Sequence, residues 1–83
     1  MITSAQIRAA RALLGLSQSE LATLADVGVA TVQRVEKATQ QIGGSAQTVA
    51  KLEKALAERG VYFIDADEEL GIGVRLRSTG GST

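Results

Sequence analysis

Apolar residues in the first 60 positions recur with the spacing of an α-helix in four separate segments. In the first segment Ile7, Ala10 and Leu14 share one face, which predicts an amphipathic helix over residues 4–14. Ser4 is the expected N-cap, because a hydroxyl at a helix start can accept a hydrogen bond from a free backbone N–H. The glycine that follows the segment is the expected end of this helix.

Two short helices are predicted next, over residues 17–25 and 29–37. Ser17 and Glu20 have the spacing of a capping box, in which each side chain bonds the backbone N–H of the other residue. Gly28 interrupts the apolar pattern and is expected at the turn between the helices. Leu21 and Leu24 are expected to point to one side of the first of these helices, and Ala22 is small where the two helices must approach closely. Val27 and Val32 are expected to fill the space between the helices. The two segments together predict a helix-turn-helix motif.

A fourth helix is predicted after a loop at residues 38–44, in which Ile42 is the expected buried anchor. Ser45 is its expected N-cap, and Gly60 is its expected end. Its inner stripe is apolar and consists of Val49, Leu52 and Leu56. The first 60 residues therefore predict a mainly α fold of four helices.

After residue 60 the apolar period changes from the helical value to two, which is typical of strands. Residues 61–64 and 74–77 are the predicted strands of a β-hairpin, joined by an acidic loop. In the second strand Val74 and Leu76 are expected to face a core, with the two neighbouring arginines facing outward.

This hairpin is the expected site of dimerisation. A two-stranded hairpin is marginal in water by itself, and its open edge invites pairing with a second copy. The residues expected at that homodimer interface are apolar: Val61, Phe63, Ile64, Val74 and Leu76. The alternative is a hairpin that folds back onto the helices of its own chain.

Charge is balanced over the whole chain but not along it. The chain has nine basic and nine acidic residues, so its net charge is zero, whereas a DNA-binding domain usually carries a basic patch. Residues 1–60 hold seven Lys or Arg and five Asp or Glu, for a net charge of +2. Residues 61–83 hold two arginines and four acidic residues, for a net charge of −2. The helical part can therefore present a weakly basic face.

The chain contains no Cys and no His, so neither a disulfide nor a zinc site with Cys or His ligands is predicted. No phosphate-binding loop or carboxylate pair suggests a catalytic site, and no cofactor or metal is expected. No apolar run approaches the roughly 20 residues of a membrane span, so the expectation is a cytoplasmic protein without a membrane partner.

Residues 10–36 resemble the Cro/repressor (XRE-type) helix-turn-helix family of transcriptional regulators. Their sequence is ARALLGLSQSELATLADVGVATVQRVE. The ending, Gly-Val-x-Phe-Ile followed by Gly-Val-Arg-Leu-Arg, is similar to a group of short bacterial regulators. The resemblance implies a lambda-repressor-like DNA-binding domain. The implied organisation is a DNA-binding domain at 1–60 with its motif at 17–37, a hairpin at 61–77 and a disordered tail at 78–83.

The resemblance also implies which residues meet double-stranded DNA. The implied base-contacting residues open or line the third helix and are Val29, Ala30, Gln33 and Arg34. The implied phosphate-contacting residues are Ser17, Gln18, Thr31 and Lys37. Arg11 and Glu36 take the positions of a structural ion pair. The chain departs from the family in an apolar Val29, where relatives often have a polar residue, and in a loop without Pro after the third helix.

Each implied contact has a plainer alternative. Val29 and Ala30 can be helix-opening residues half covered by protein, and Gln18, Gln33 and Arg34 can be solvated polar side chains. Arg8, Lys51 and Lys54 are read as solubilising rather than DNA-contacting, and the acidic loop as a solvated charge run.

Three function classes follow. The first is a dimeric transcriptional repressor that reads a near-palindromic operator with its third helix in the major groove. The second is an antitoxin or antiactivator that uses the fold to bind a protein partner, which zero net charge and the apolar start of the third helix favour. The third is an enzyme, and no candidate catalytic residue in the sequence supports it.

Overall fold

The computed structural model describes residues 2–37 and 45–78. Its elements in chain order are α1 (Ser4–Leu14), α2 (Gln18–Ala25), α3 (Val29–Lys37), α4 (Ala46–Glu58), β1 (Val61–Ile64) and β2 (Gly73–Leu76). The predicted mainly α fold with a C-terminal hairpin is confirmed. The predictions for Ile42 and for the tail after residue 78 lie outside the described residues. Among the helices described, none is both long enough and apolar enough to cross a membrane.

The helix ends follow local capping chemistry. Ser45 accepts a hydrogen bond from the backbone N–H of Thr48 at 3.1 Å, so the predicted N-cap of α4 is confirmed. Gly15 and Gly60 have φ of 69° and 97°, so each ends its helix in a left-handed conformation that other residues rarely adopt.

The predicted N-cap of α1 is wrong by one residue. Thr3, not Ser4, accepts a hydrogen bond from the backbone N–H of Gln6, and the Gln6 side chain accepts one from the backbone N–H of Thr3. This reciprocal arrangement satisfies two free N–H groups, which a cap at Ser4 would not achieve. The hydroxyl of Ser4 is buried and donates instead to the backbone carbonyl of Val35 at 2.6 Å.

The core lies where α1, α2, α3 and α4 meet and extends to the first residue of β1. Its buried apolar residues are Ile2, Ile7, Ala10, Leu21, Ala22, Ala25, Val32, Val35, Val49, Leu52, Ala55, Leu56 and Val61. The expectation that Leu21 and Leu24 point to one side is wrong, because Leu21 is buried and the Leu24 side chain is 38% exposed. Ala25, four residues after Leu21, is buried on the same side of α2 as Leu21.

The hairpin packs one face against the helices of its own chain. Val61 lies opposite Leu76, and Phe63 lies opposite Val74, in an antiparallel pair. Val61 is 1% exposed, and Phe63 and Val74 pack against the core at half burial. This inner packing corresponds to the alternative in which the hairpin folds back, and it leaves Val61 almost no area for a second chain.

Two details of the second strand differ from expectation. The strand begins at Gly73 rather than Val74 and ends at Leu76. Leu76 lies opposite Val61 and therefore on the inner face, as expected, but it is 44% exposed and so is not part of the core. Residues of α1 lie against Gly73 and Val74, at the beginning of β2, which leaves the far end of the strand more open to solvent.

Gln6 connects the start of α1 to the hairpin. Its side-chain amide donates to the carbonyl of Ile64 at 3.1 Å and to that of Gly73 at 2.9 Å. Its side-chain oxygen accepts the N–H of Thr3 at 2.9 Å. A single buried amide therefore joins an N-cap and the last pair of the β-ladder.

We expect Gln6→Ala to lower the free energy of unfolding by about 1–3 kcal/mol, because it leaves buried backbone groups without partners. Urea denaturation measures the loss. Faster amide hydrogen exchange at the Ile64–Gly73 end of the hairpin checks its location. Gln47→Ala, at an exposed position of α4, is the matched control and should change the free energy of unfolding by no more than about 0.5 kcal/mol. An unchanged stability in Gln6→Ala would contradict the anchoring role.

Candidate nucleic-acid interface

The helix-turn-helix begins with the predicted capping box. The Ser17 hydroxyl accepts the N–H of Glu20 at 3.0 Å, and the Glu20 carboxylate accepts the N–H of Ser17 at 2.8 Å. The hydrogen bond from the Ser17 backbone lowers the pKa of the Glu20 carboxyl, and that from its side chain lowers it further. The start of α2 is therefore fixed by its own side chains.

The turn between α2 and α3 places its left-handed residue at Asp26, with φ of 57°. The N–H of Val27 donates to the carbonyl of Ala22 at 3.0 Å, which closes the end of α2. Gly28 lies directly before α3, and its carbonyl accepts the N–H groups of Thr31 and Val32. The turn is therefore made by Asp26, and Gly28 serves as the residue from which α3 starts.

Helix α3 is divided into a held face and a free face. Its held face comprises Val32, Val35 and Glu36, which are buried. Its free face comprises exposed residues that fall within about 140° of arc at 100° per residue: Val29, Ala30, Gln33, Arg34 and Lys37. Four of these are the predicted base-contacting residues, and the fifth is the predicted phosphate contact Lys37. The structure thus brings them together on one surface.

The carboxylate of Glu36 is the centre of a hydrogen-bond network that spans three helices. It accepts Arg11 Nε at 2.9 Å on Oε2 and Arg11 Nη2 at 3.0 Å on Oε1. Gln18 Nε2 also donates to Oε1, at 3.0 Å. Arg11 Nη1 donates to the carbonyl of Leu16 at 3.0 Å, in the link between α1 and α2. The planar guanidinium therefore fixes α3 and that link at the same time.

The Arg11 side chain is 25% exposed and that of Glu36 is 4% exposed. The hydrogen bond to Glu36 raises the pKa of Arg11, burial lowers it, and the charge of Glu36 raises it, with a net upward shift. In the described residues every buried side-chain N or O atom has a hydrogen-bond partner. The desolvation cost of burying these charges is thus offset by good geometry.

Helix α1 also caps the end of α3. Ser4 donates to the carbonyl of Val35, and the guanidinium of Arg8 donates to the carbonyl of Glu36. These carbonyls have no partner within a helix that ends at Lys37, so the side chains of α1 satisfy them. Sequence reasoning missed both roles and treated Arg8 as a solubilising residue. The available signal was the spacing of Ser4, Arg8 and Arg11, which places them on one helix face.

The remaining predicted DNA-contacting residues lie outside the free face, at the start of α2 and on α3. Ser17 is exposed, Gln18 is half-buried against Glu36, and Thr31 is half-buried with its hydroxyl 3.5 Å from Arg34 Nη2. Arg34 and Lys37 give the free face two positive charges, and Glu36, the acidic residue of this helix, is neutralised by its ion pair. Within the described residues no cluster of acidic side chains is arranged to hold a metal ion.

The comparison with known families decides the identity of the motif. A family model described as helix-turn-helix matches residues 7–63, which is more than half of the chain. The chain belongs to the XRE-type helix-turn-helix family. No curated protein matches it. The XRE-type family consists of DNA-binding transcription regulators and is not typically enzymatic. Its match covers α1 through β1, apart from the first three residues of α1 and the last residue of β1.

We expect Glu36→Gln to lower the free energy of unfolding by about 3 kcal/mol, because Arg11 loses its counter-charge in a partly buried site. This is the lower end of the range for a buried pair, since Arg11 is a quarter exposed. Thermal and urea denaturation measure it, with Glu53→Gln on the exposed side of α4 as the control. A double-mutant cycle with Arg11→Met should show strong coupling. Additive losses would contradict the network.

Proposed function

We propose that this protein is a sequence-specific regulator of transcription, a dimeric repressor that inserts α3 into the major groove of a near-palindromic operator. The observation that carries the proposal is the free face of α3. Five exposed side chains lie together there, on a helix whose other face is held by α1 and α2. A rigid helix with a free polar and cationic face suits the major groove, which admits an α-helix.

The side chains of the free face match the chemistry of base edges. Arg34 can donate two hydrogen bonds to a guanine, and Gln33 can exchange two with an adenine. Val29 is 40% exposed, so its methyl groups can pack against a thymine methyl. The methyl group of the exposed Ala30 can do the same. These four residues are the proposed base readers.

The proposed phosphate contacts flank that surface. Gln18 has two amide hydrogens, of which one donates to Glu36, so the second is proposed to reach a phosphate. The Ser17 and Thr31 hydroxyls are the further proposed contacts, together with the ammonium of Lys37 on the free face itself. Contacts of this kind position a protein on the duplex without reading its sequence.

The first test is selection of random duplexes by the purified protein, followed by sequencing. We expect an inverted repeat whose half-sites are about one helical turn apart. Gln33→Ala or Arg34→Ala should relax the preference at one base pair in each half-site, at a cost of about 1–3 kcal/mol per contact. Gln47→Ala, on exposed α4, is the control and should select the same site. Recovery of no enriched sequence at low salt would contradict the proposal.

The second test concerns Lys37. Because each phosphate contact releases about one counterion, Lys37→Ala should weaken binding to all sequences alike and flatten the slope of log K against log salt by about 0.9 for each protomer, which is about 1.8 for the dimer. Lys54→Ala, an exposed lysine on α4, should leave the slope unchanged. Equal slopes in the wild type and Lys37→Ala would remove Lys37 from the interface.

A second candidate function is an antitoxin or antiactivator that binds a protein through the same face. The exposed Val29 and the zero net charge favour it. Salt separates the two candidates, since an apolar protein interface is nearly insensitive to the salt concentration that weakens DNA binding steeply.

A further inference from the structure

The hairpin has an outer face that none of the described helices covers. Tyr62 is 50% exposed on this side and Ile64 is half-buried, whereas Leu76 lies opposite Val61 and so belongs to the inner face, at its open end. The guanidinium carbon of Arg77 lies 5.2 Å from the centre of the Tyr62 ring, a cation–π distance that holds Arg77 on this face. These residues, with Arg75 and Ser78, line a shallow hollow of about 490 Å³.

The charges of the hairpin are separated along its length. Four carboxylates follow β1 in the connecting loop, and all are exposed: Asp65, Asp67, Glu68 and Glu69. Arg75 and Arg77 lie at the opposite, open end. Among the described residues the ion pair is the one between Arg11 and Glu36. The charges at the two ends of the hairpin therefore have no ion-pair partner within that part of the chain.

The acidic loop has a defined shape. Asp67 Oδ1 accepts the N–H of Glu69 at 2.8 Å and that of Leu70 at 2.7 Å, and Asp67 N–H donates to the carbonyl of Leu70. The hydrogen bond from Leu70, followed by that from Glu69, lowers the pKa of Asp67. This turn displays the side chains of Glu68 and Glu69, and it leaves Leu70 70% exposed.

The backbone of the hairpin also has unused pairing capacity. The N–H of Arg77 donates to the carbonyl of Gly60, which makes this pair a hydrogen-bonded one. Because such pairs alternate in an antiparallel ladder, the backbone groups of Val61, Phe63, Val74 and Leu76 point away from the partner strand.

We propose that the outer face of the hairpin binds the same face of a second copy, with the two hairpins antiparallel across a two-fold axis. The acidic turn of each hairpin then lies against Arg75 and Arg77 of the other. Tyr62 and Ile64 form the apolar centre between them. The inference deepens the dimer contained in the proposed function, and it assigns that dimer to the outer face of the hairpin.

Charge complementarity selects this occupant. A surface that is basic at one end and acidic at the other is complementary to itself when it is turned by 180°, and a two-fold axis satisfies both contacts at once. A DNA duplex is a poor alternative, because four carboxylates of the same hairpin would repel its phosphates.

The test exchanges the charges. In sedimentation velocity without DNA, the wild type should be a dimer, and Arg75→Glu/Arg77→Glu and Glu68→Lys/Glu69→Lys should each weaken dimerisation at least tenfold. An equimolar mixture of the two variants should recover a heterodimer, because both of its contacts are again between opposite charges. Asp67 is left unchanged because it shapes the turn.

Lys51→Glu/Lys54→Glu, on α4, is the control; it changes charge as much and should remain dimeric. Circular dichroism checks that each variant is folded. A monomeric wild type, folded variants that remain dimers, or a mixture that stays monomeric would each overturn the proposal. The proposal would also be overturned if Arg75→Glu/Arg77→Glu lost DNA binding but remained a dimer in sedimentation velocity. That result would assign the outer face to DNA.

The outcome is separable from that of the proposed function. A heterodimer from the mixed variants, with no duplex selected by the wild type, supports this interface and overturns DNA reading. An operator selected by dimers that the exchanges do not disturb overturns this interface and leaves DNA reading intact.

Discussion

The carboxylate of Glu36 is buried, and its two oxygens accept hydrogen bonds from Arg11 on α1 and Gln18 on α2. This one group therefore fixes the angle at which α3 leaves the domain. A buried charge is costly unless all its partners are in place, so an orientation of α3 that breaks these hydrogen bonds is disfavoured. The exposed face of α3 has a defined orientation because the opposite face contains this network.

Helix α1 transmits that constraint to the rest of the fold. Its side chains Ser4, Arg8 and Arg11 hold the end of α3, and its Gln6 holds the tip of the hairpin. The two functional surfaces proposed for the chain, the free face of α3 and the outer face of the hairpin, are therefore attached to one helix. Their separation is set by a rigid element rather than by a flexible linker.

The sequence predicted those parts of the fold that local chemistry determines. The capping box at Ser17, the cap at Ser45 and the helical periods could be located because each depends on residues close together in the chain. The partners of Ser4, Arg8 and Gln6 could not, because they lie 28 to 67 residues away. Leu24 shows a second limit, since periodicity alone does not decide which of two adjacent apolar faces of α2 is covered. The free face of α3 was located by resemblance, and its contacts with DNA stay predictions.

The division of α3 into held and free faces also has an evolutionary consequence. The residues of the free face are exposed and lie outside the core, and a Cβ at Gly28 would meet only Thr31 Oγ1 within 4 Å, at 3.9 Å. Most surface substitutions of this kind change stability by less than about 0.5 kcal/mol. Descendants of this chain can therefore acquire new recognition preferences by drift at a few positions, while selection for folding acts on a separate set of residues.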